Sequence, residues 1–314
     1  MTSVSGRLLG RTLRDVTTVR AEDLHLERVL EPSPLSIVPR PNPAKSQVIC
    51  VASGKGGTGK TVVTTNLAVL LAQEGFSVLL FDADMGLANA HLLLGVSPAN
   101  DITSVLDGRM KLTDIICECS AGVRLVSGGS GFSELSELKD RELRHLASEL
   151  KACEEGADII LVDLSAGISP QVMRFLRAAH DVILVTTPDV TAMLDAYATI
   201  KSLAEADANV SVKLVVNRAR QRSDAVAAFK KIKAVASRHL TAADISFFGW
   251  VPHNWYIQDS VDRRQPVVTL HPRSFVTLCL KHMAGRIGAE HAAWKLSCSA
   301  APSFSSRLER VVFE

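Results

Sequence analysis

From residue 48 onwards the chain alternates short, continuous apolar runs with longer segments whose apolar residues return every three or four positions. The runs cover residues 48–52, 78–81, 123–127, 158–163, 181–187, 212–217 and 245–251. Each has the length of a strand, and their unbroken hydrophobicity is that of strands covered on both faces. The periodic segments predict helices over 64–74, 134–155, 192–206, 224–239 and 272–287, with a short helix and turn over 105–112. Strand and helix in alternation is the pattern of a parallel sheet with crossover helices, so the expected fold is α/β: a doubly wound, mostly parallel sheet.

The two ends break this rhythm. In residues 1–46, Arg7, Arg11, Arg14 and Arg20 punctuate a weakly periodic stretch, and Leu24, Leu26 and Val29 suit one short amphipathic helix. Pro32, Pro34, Pro39, Pro41 and Pro43 then crowd together and predict an extended linker, because proline at that density cannot continue a helix. This arm reads equally as a partner-binding peptide or a tail. After Gly288 the periodicity weakens, and only residues 307–313 form a short amphipathic piece. The expected organisation is an arm and linker (1–46), one nucleotide-binding domain (47–288) and a C-terminal tail (289–314).

The chemistry is concentrated at the ends of the apolar runs. The first is followed by Gly54-Lys55-Gly56-Gly57-Thr58-Gly59-Lys60-Thr61, which fits the phosphate-loop pattern G-x-x-x-x-G-K-[ST] and stands between a predicted strand and a predicted helix. Glycines allow the tight turn and bring backbone N–H groups close to phosphate, and the helix N-terminus adds a favourable field. The expected nucleotide contacts are Gly54, Gly56, Gly57, Thr58, Gly59, Lys60, Thr61 and Val62. In this pattern Lys60 reaches the β- and γ-phosphates and the Thr61 hydroxyl sits on Mg²⁺. The second run ends in Asp82 and Asp84, two apart and so on one side of a continuing strand, where they could support the Mg²⁺ shell and orient a water. The run ending in Asp163 fits a metal-supporting carboxylate, with Ser165, Ala166 and Gly167 as the loop that senses the γ-phosphate. Asn217 ends a further run with an amide that suits an adenine edge, or simply a turn. A second glycine cluster, 128–131, lacks a Lys-Ser/Thr end and reads as a turn beside the site.

Charge and cysteine content add exclusions. The net charge of +2 over 314 residues supplies no global field for nucleic acid or an anionic membrane. Locally, Arg218, Arg220, Arg222, Lys230, Lys231, Lys233 and Arg238 make the most basic stretch, on or beside one predicted helix. Six scattered cysteines with no C-x-x-C spacing point to free thiols in a reducing compartment. No apolar run is long enough to span a bilayer and none is of the signal-peptide type, so the expected location is cytoplasmic, or peripheral at the inner face of the cell membrane.

The order and wording of four stretches, 53–61, 81–95, 162–169 and 186–201, resemble the MinD/ParA-type ATPases, and among them the MinD-like regulators of flagellar number and placement (the FlhG/FleN type). Asp-Ala-Asp-Met-Gly-Leu-Ala-Asn and Thr-Thr-Pro-Asp-Val-Thr-Ala-Met-Leu-Asp-Ala-Tyr-Ala-Thr-Ile-Lys are the specific parts; the resemblance covers about 47–288. It implies slow, Mg²⁺-dependent hydrolysis of ATP sandwiched in a homodimer. Lys55, the second lysine of the loop, would act across the dimer. Asp84 would position or activate the attacking water, Asp82 and Asp163 would support the metal, and Asn217 would contact adenine. It also implies protein partners such as flagellar assembly factors or a transcription regulator, with membrane binding as a further option. Residues 1–46 lack the Asp-Gln-Ala-x-x-Leu-Arg element of the flagellar type, and the tail after Gly288 is a poor version of a basic membrane helix. The alternative is a ParA-like partitioning ATPase that uses the basic stretch on nonspecific DNA. An iron–sulfur carrier of this fold would want a C-x-x-C pair near its C-terminus, which Cys279 and Cys298 do not supply.

Overall fold

A computed structural model describes residues 46–85, 87–129, 138–207, 211–240, 243–297 and 302–313. The N-terminal arm, Ser130 and Gly131 of the second glycine cluster, the expected start of the 134–155 helix and Cys298 lie outside these residues. The strands are β1 (Gln47–Ser53), β2 (Val78–Ala83), β3 (Cys117–Glu118), β4 (Arg124–Val126), β5 (Ile159–Ala166), β6 (Asp181–Thr186), β7 (Ser211–Ala219) and β8 (Asp244–Pro252). They form one eight-stranded sheet in the order β3-β4-β2-β5-β1-β6-β7-β8, parallel except for the β3–β4 pair at one edge. The phosphate-loop strand β1 is central, between β5 and β6.

Helices cover both faces: α1 (Lys60–Gln73), α2 (Ala90–Leu93), α3 (Ile102–Leu106), α4 (Asp140–Glu155), α5 (Pro170–Ala178), α6 (Val190–Ala206), α7 (Arg222–His239), α8 (Trp255–Asp262), α9 (Val267–Leu270), α10 (Phe275–Ser297) and α11 (Phe304–Phe313). Alternation along β1 divides the core. Val48, Cys50 and Ala52 join the layer under α4 to α7 and α11, while Ile49 and Val51 join the layer under α1 and α10. Both faces are buried, which is why the strands read as unbroken apolar runs.

Three elements differ from the expected ones for identifiable reasons. Helix α1 starts at Lys60 and not at 64. The run Thr61-Val62-Val63-Thr64-Thr65 has poor helix propensity, but burial against the sheet overrides it. Helix α5 carries a plain start signal, Ser169 capping Val172 N–H at 3.3 Å with Pro170 in the first turn, that the phosphate-sensing reading of the preceding loop obscured. Helix α10 runs straight through Gly288. There the glycine is a packing site: an added Cβ would stand 3.1 Å from the Phe76 ring.

The C-terminal segment is therefore part of the packed body. His291 is buried, Lys295 pairs with Asp158 at 2.6 Å, and Glu290 pairs with Lys213 at 2.6 Å. Phe304, Leu308 and Val312 of α11 turn one face into the core beside Phe175, and Ser305 N–H donates to Glu154 Oε1 at 2.7 Å. Among the described residues no helix is long and apolar enough to cross a membrane. Replacing Phe304 by Ala should cost about 3–5 kcal/mol by emptying a filled core site. Phe313→Ala, at a residue 75% exposed, should change stability by less than about 1 kcal/mol. Urea unfolding of the two variants checks the contrast, and equal effects would mean that α11 is not packed as described.

Candidate functional site

The site lies at the carboxyl ends of β1, β2, β5 and β6, the edge at which open α/β sheets bind ligands. The chain leaves β1 through a turn in which Gly57 and Gly59 take positive φ (77° and 83°), and Gly59 caps α1. Gly54 is required for a different reason. A Cβ there would lie 2.3 Å from the backbone of Asp195, so α6 packs directly on the loop's first residue. Gly56 and Gly57 are exposed, and a Cβ on either would meet nothing, so the loop's outer side is open to a ligand.

Lys60 and Asp163 form the centre. Their Nζ–Oδ1 distance is 2.8 Å, and the side chains are 6% and 0% exposed. Thr64, one turn into α1, donates its hydroxyl to the same Oδ1 at 2.8 Å. Asp163 Oδ2 is buried without a partner, as is Thr58 Oγ1 inside the loop. Buried polar atoms left open beside a lysine, a hydroxyl at Thr61 and an open glycine turn fit a phosphate with its hard cation: Thr61 and Asp163 offer the oxygen donors such an ion takes.

The two other carboxylates have separated roles. Asp82 stands opposite Asp163 in the β2–β5 register and is buried. It accepts from the backbone N–H of Asp84 (3.2 Å), Asn89 (2.9 Å) and Ala90 (2.9 Å). Three of its acceptor positions thus close the loop that carries Asp84. Burial, reinforced by the Asp163 charge, pushes its carboxyl from 3.8 up to about 7 despite those bonds and Lys60. Asp84 is half-buried at the rim; burial raises its pKa, with Lys60 pulling the other way and Asp163 adding to the rise. Gly128 and Gly129 abut this loop: a Cβ on Gly128 would sit 2.2 Å from the Asp82 carbonyl, and Gly129 accepts from Ala88 N–H.

Asn217 is brought in by a break in the ladder. The β7–β8 register shifts between Val216 and Ala219, and Arg218 between them adopts a φ of 56°. The buried amide then donates to Thr58 O at 2.7 Å and accepts from Arg218 N–H at 2.8 Å. It braces the loop from beneath, with one N–H and one lone pair left for a base. Val62 follows in α1, half-buried. Lys55 is exposed and donates to Thr191 Oγ1 on the first turn of α6 at 3.0 Å.

The structure thus gathers every expected site residue on one edge, leaves the buried Thr58 hydroxyl without a partner, and adds Thr64 and Thr191. The pattern of the phosphate loop marks Thr58 only as a spacer and Thr64 and Thr191 not at all. The signal that could have found Thr64 is its place one turn after Lys60, facing β5.

Residues 44–288 match the model of the ParA family, described as NUBPL iron-transfer P-loop NTPase. The chain is 34% identical over 266 residues to the antiactivator FleN of Pseudomonas aeruginosa, covering 85% of this chain and 93% of that protein. It is 30% identical to the flagellum site-determining protein YlxH of Helicobacter pylori, covering 85% and 91%. The septum site-determining protein MinD of Pyrococcus horikoshii OT3, solved with Mg-ADP, superposes with a TM-score of 0.65 at 28% identity, covering 77% of this chain and 96% of that one. Among the described residues no group of three or more His, Cys, Asp or Glu is placed to hold a metal ion.

Because the folded-state pKa of Asp82 is raised, its contribution to stability is full below about pH 4 and is lost as pH rises through about 7. Nucleotide-free protein should therefore lose stability from this group between about pH 5 and pH 7, and Asp82→Asn should flatten that part of the profile. Urea midpoints at the two pH values test this; an unchanged slope in the variant would contradict the assignment.

Proposed function

Because the chain belongs to the ParA/MinD family of P-loop ATPases, we propose that it is a nucleotide-timed dimerising switch that sets the number or placement of a cellular assembly, the flagellum. The observation that carries this reading is the outward face of the site. Lys55 stands exposed on Thr191, and exposed apolar side chains surround the same edge: Leu87 after β2, Ile168 after β5, and Val190 and Leu194 on α6. A second copy of this chain would cover that rim and bring its own Lys55 toward the phosphates.

Within the site, Lys60 exchanges its Asp163 partner for the β- and γ-phosphates, and the backbone N–H groups of residues 54–61 hold the remaining oxygens. Thr61 and Asp163 would hold Mg²⁺, with Asp82 behind them, and the ion would supply charge neutralisation on the phosphate oxygens. Asp84, with its raised pKa, orients the attacking water and takes up its proton. Asn217 couples the loop to the base side of the site, so an adenine contact there would be felt at Thr58. Hydrolysis then withdraws the γ-phosphate that the two subunits share and releases the dimer.

The relatives' names support the flagellar assignment: one is an antiactivator, the other determines flagellum sites. Protein partners follow from the same reading, and the structure of MinD with MinC gives a neighbour of 27% identity in such a complex. A peripheral site at the inner membrane face belongs to the proposal only through a rearrangement of α11, whose apolar face is buried in the state described. A second reading has its own observation. The solvent face of α7 carries Arg222, Lys230, Lys231, Lys233 and Arg238, none with a carboxylate partner among the described residues, as a DNA-partitioning ATPase would need.

Sizing in Mg-ADP and Mg-ATP separates these states. The wild type should dimerise in ATP alone. Asp84→Ala should remain dimeric in ATP with hydrolysis lost, and Lys55→Ala should stay monomeric or stop turning over; nucleotide-independent size with normal turnover would defeat the switch. For the second reading, binding of random duplex DNA by the ATP form should fall steeply between about 50 and 200 mM salt and weaken in Lys230→Ala/Lys231→Ala. Absence of binding at low salt would remove it.

A further inference from the structure

The Thr64 hydroxyl stands between two acceptors. Thr64 lies on the second turn of α1, on the same helix face as Lys60, and is fully buried. Its Oγ1 is 2.9 Å from the Lys60 carbonyl and 2.8 Å from Oδ1 of Asp163 on β5. A hydroxyl has one proton, so it serves one of these acceptors at a time. The Lys60 carbonyl has the weaker claim, because it opens the ladder of α1 and already takes a helix N–H. Asp163 is fully buried and its Oδ2 has no partner, so the bonds that hold this carboxylate in place fall on Oδ1. A bond to an ionised acceptor is also the stronger of the two. Thr65, the next residue, gives the contrast. Its hydroxyl bonds the carbonyls of Thr61 (2.8 Å) and Val62 (3.2 Å) in its own helix and reaches no carboxylate among the described residues.

Among the described residues Oδ1 of Asp163 has two side-chain donors, Lys60 Nζ and the Thr64 hydroxyl, both at 2.8 Å. They differ in what a phosphate does to them. The ammonium of Lys60 ends a flexible stem and is the group that phosphate attracts. The hydroxyl of Thr64 sits on a short, stiff side chain in a buried helix, and it can give its proton to Asp163 without moving a heavy atom. We propose that Thr64 is a positioning residue for the metal-holding carboxylate: it keeps Oδ1 of Asp163 when Lys60 turns to phosphate, and so leaves Oδ2 set for a hard divalent ion. The proposal rests on the reading that Asp163 takes part in holding Mg²⁺. A carboxylate ordered before the ion arrives binds it more tightly than one that the ion must order for itself.

The test uses the full chain saturated with N-methylanthraniloyl-ADP and follows the fluorescence of the bound probe as Mg²⁺ is added. Thr64→Val keeps the outline of the side chain and loses the hydroxyl; its half-saturating Mg²⁺ concentration should rise about 10-fold or more. Thr64→Ser retains the hydroxyl and should stay near the wild-type value. Thr64→Ala removes the same hydroxyl with less bulk and should shift as Thr64→Val does, so the result does not hang on one variant folding. Thr65→Val deletes a hydroxyl that bonds only helix carbonyls and should leave the Mg²⁺ response unchanged. A wild-type Mg²⁺ response in both Thr64→Val and Thr64→Ala, or an equal shift in Thr65→Val, would overturn the role of Thr64 while leaving Asp163 as a metal ligand. Absence of any Mg²⁺ response in the wild type would overturn the metal reading of Asp163 and the role of Thr64 with it.

Discussion

The site is organised by the buried pair of Lys60 and Asp163. A charged pair this deep is expensive to desolvate, and it is tolerated because each partner has further bonds: Thr64 donates to the carboxylate, and Lys60 also reaches the Thr61 hydroxyl at 3.4 Å. The pair joins the loop after β1 to the end of β5, the two strands at the middle of the sheet. It also sets the field in which its neighbours titrate. Asp82 lies across from Asp163 and is driven toward its neutral form, while Asp84, further out, feels the attraction of Lys60 more than the repulsion of Asp163. One ion pair thereby separates two aspartates only two residues apart into a loop clasp and a rim carboxylate.

This arrangement makes the nucleotide a competitor for bonds the protein already has. A phosphate that drew Lys60 away would leave Asp163, whose Oδ2 is already buried without a partner, as a carboxylate that could hold a divalent ion. The loop itself is held from three further sides. Gly54 lies against α6, Asn217 bonds Thr58 from β7, and the Ser53 carbonyl accepts from Gly167 N–H at 2.8 Å. Gly167 leads directly to Ile168, so the phosphate loop and the exposed apolar rim are joined by one short chain segment.

The sheet was legible because its strands are covered on both faces and so form unbroken apolar runs; seven of the eight were readable on that ground. The eighth, β3, is two residues long at an edge and has no periodicity to detect. The phosphate loop was legible because its spacing is a property of backbone geometry. Asn217 was legible only as an amide at a strand end. Its aim at Thr58 depends on a register shift and on Arg218 taking a left-handed conformation, neither of which side-chain type reveals. Thr64 and Thr191 were not legible, since their partners are 99 and 136 residues away. Asp82 and Asp84 look alike in sequence and differ only by burial.

The C-terminal end shows why weak periodicity is a poor boundary. Gly288 suggests a stop because glycine so often ends helices, but it serves there to admit Phe76 between α10 and α1. The nine residues of α10 beyond it look polar because they carry ion pairs to Asp158 and Lys213 at the amino ends of the strands. Helix α11 looks like a free amphipathic segment because its apolar residues are spaced for one face, and that face is already in contact with α4 and α5. An amphipathic helix at a surface has two ways to bury its apolar stripe, against a membrane or against its own domain, and the two exclude each other. With Phe304, Leu308 and Val312 in the core, offering this apolar face to a lipid surface must first break about the same burial that it offers, so docking of α11 is itself the quantity that a partner or a second subunit would have to shift.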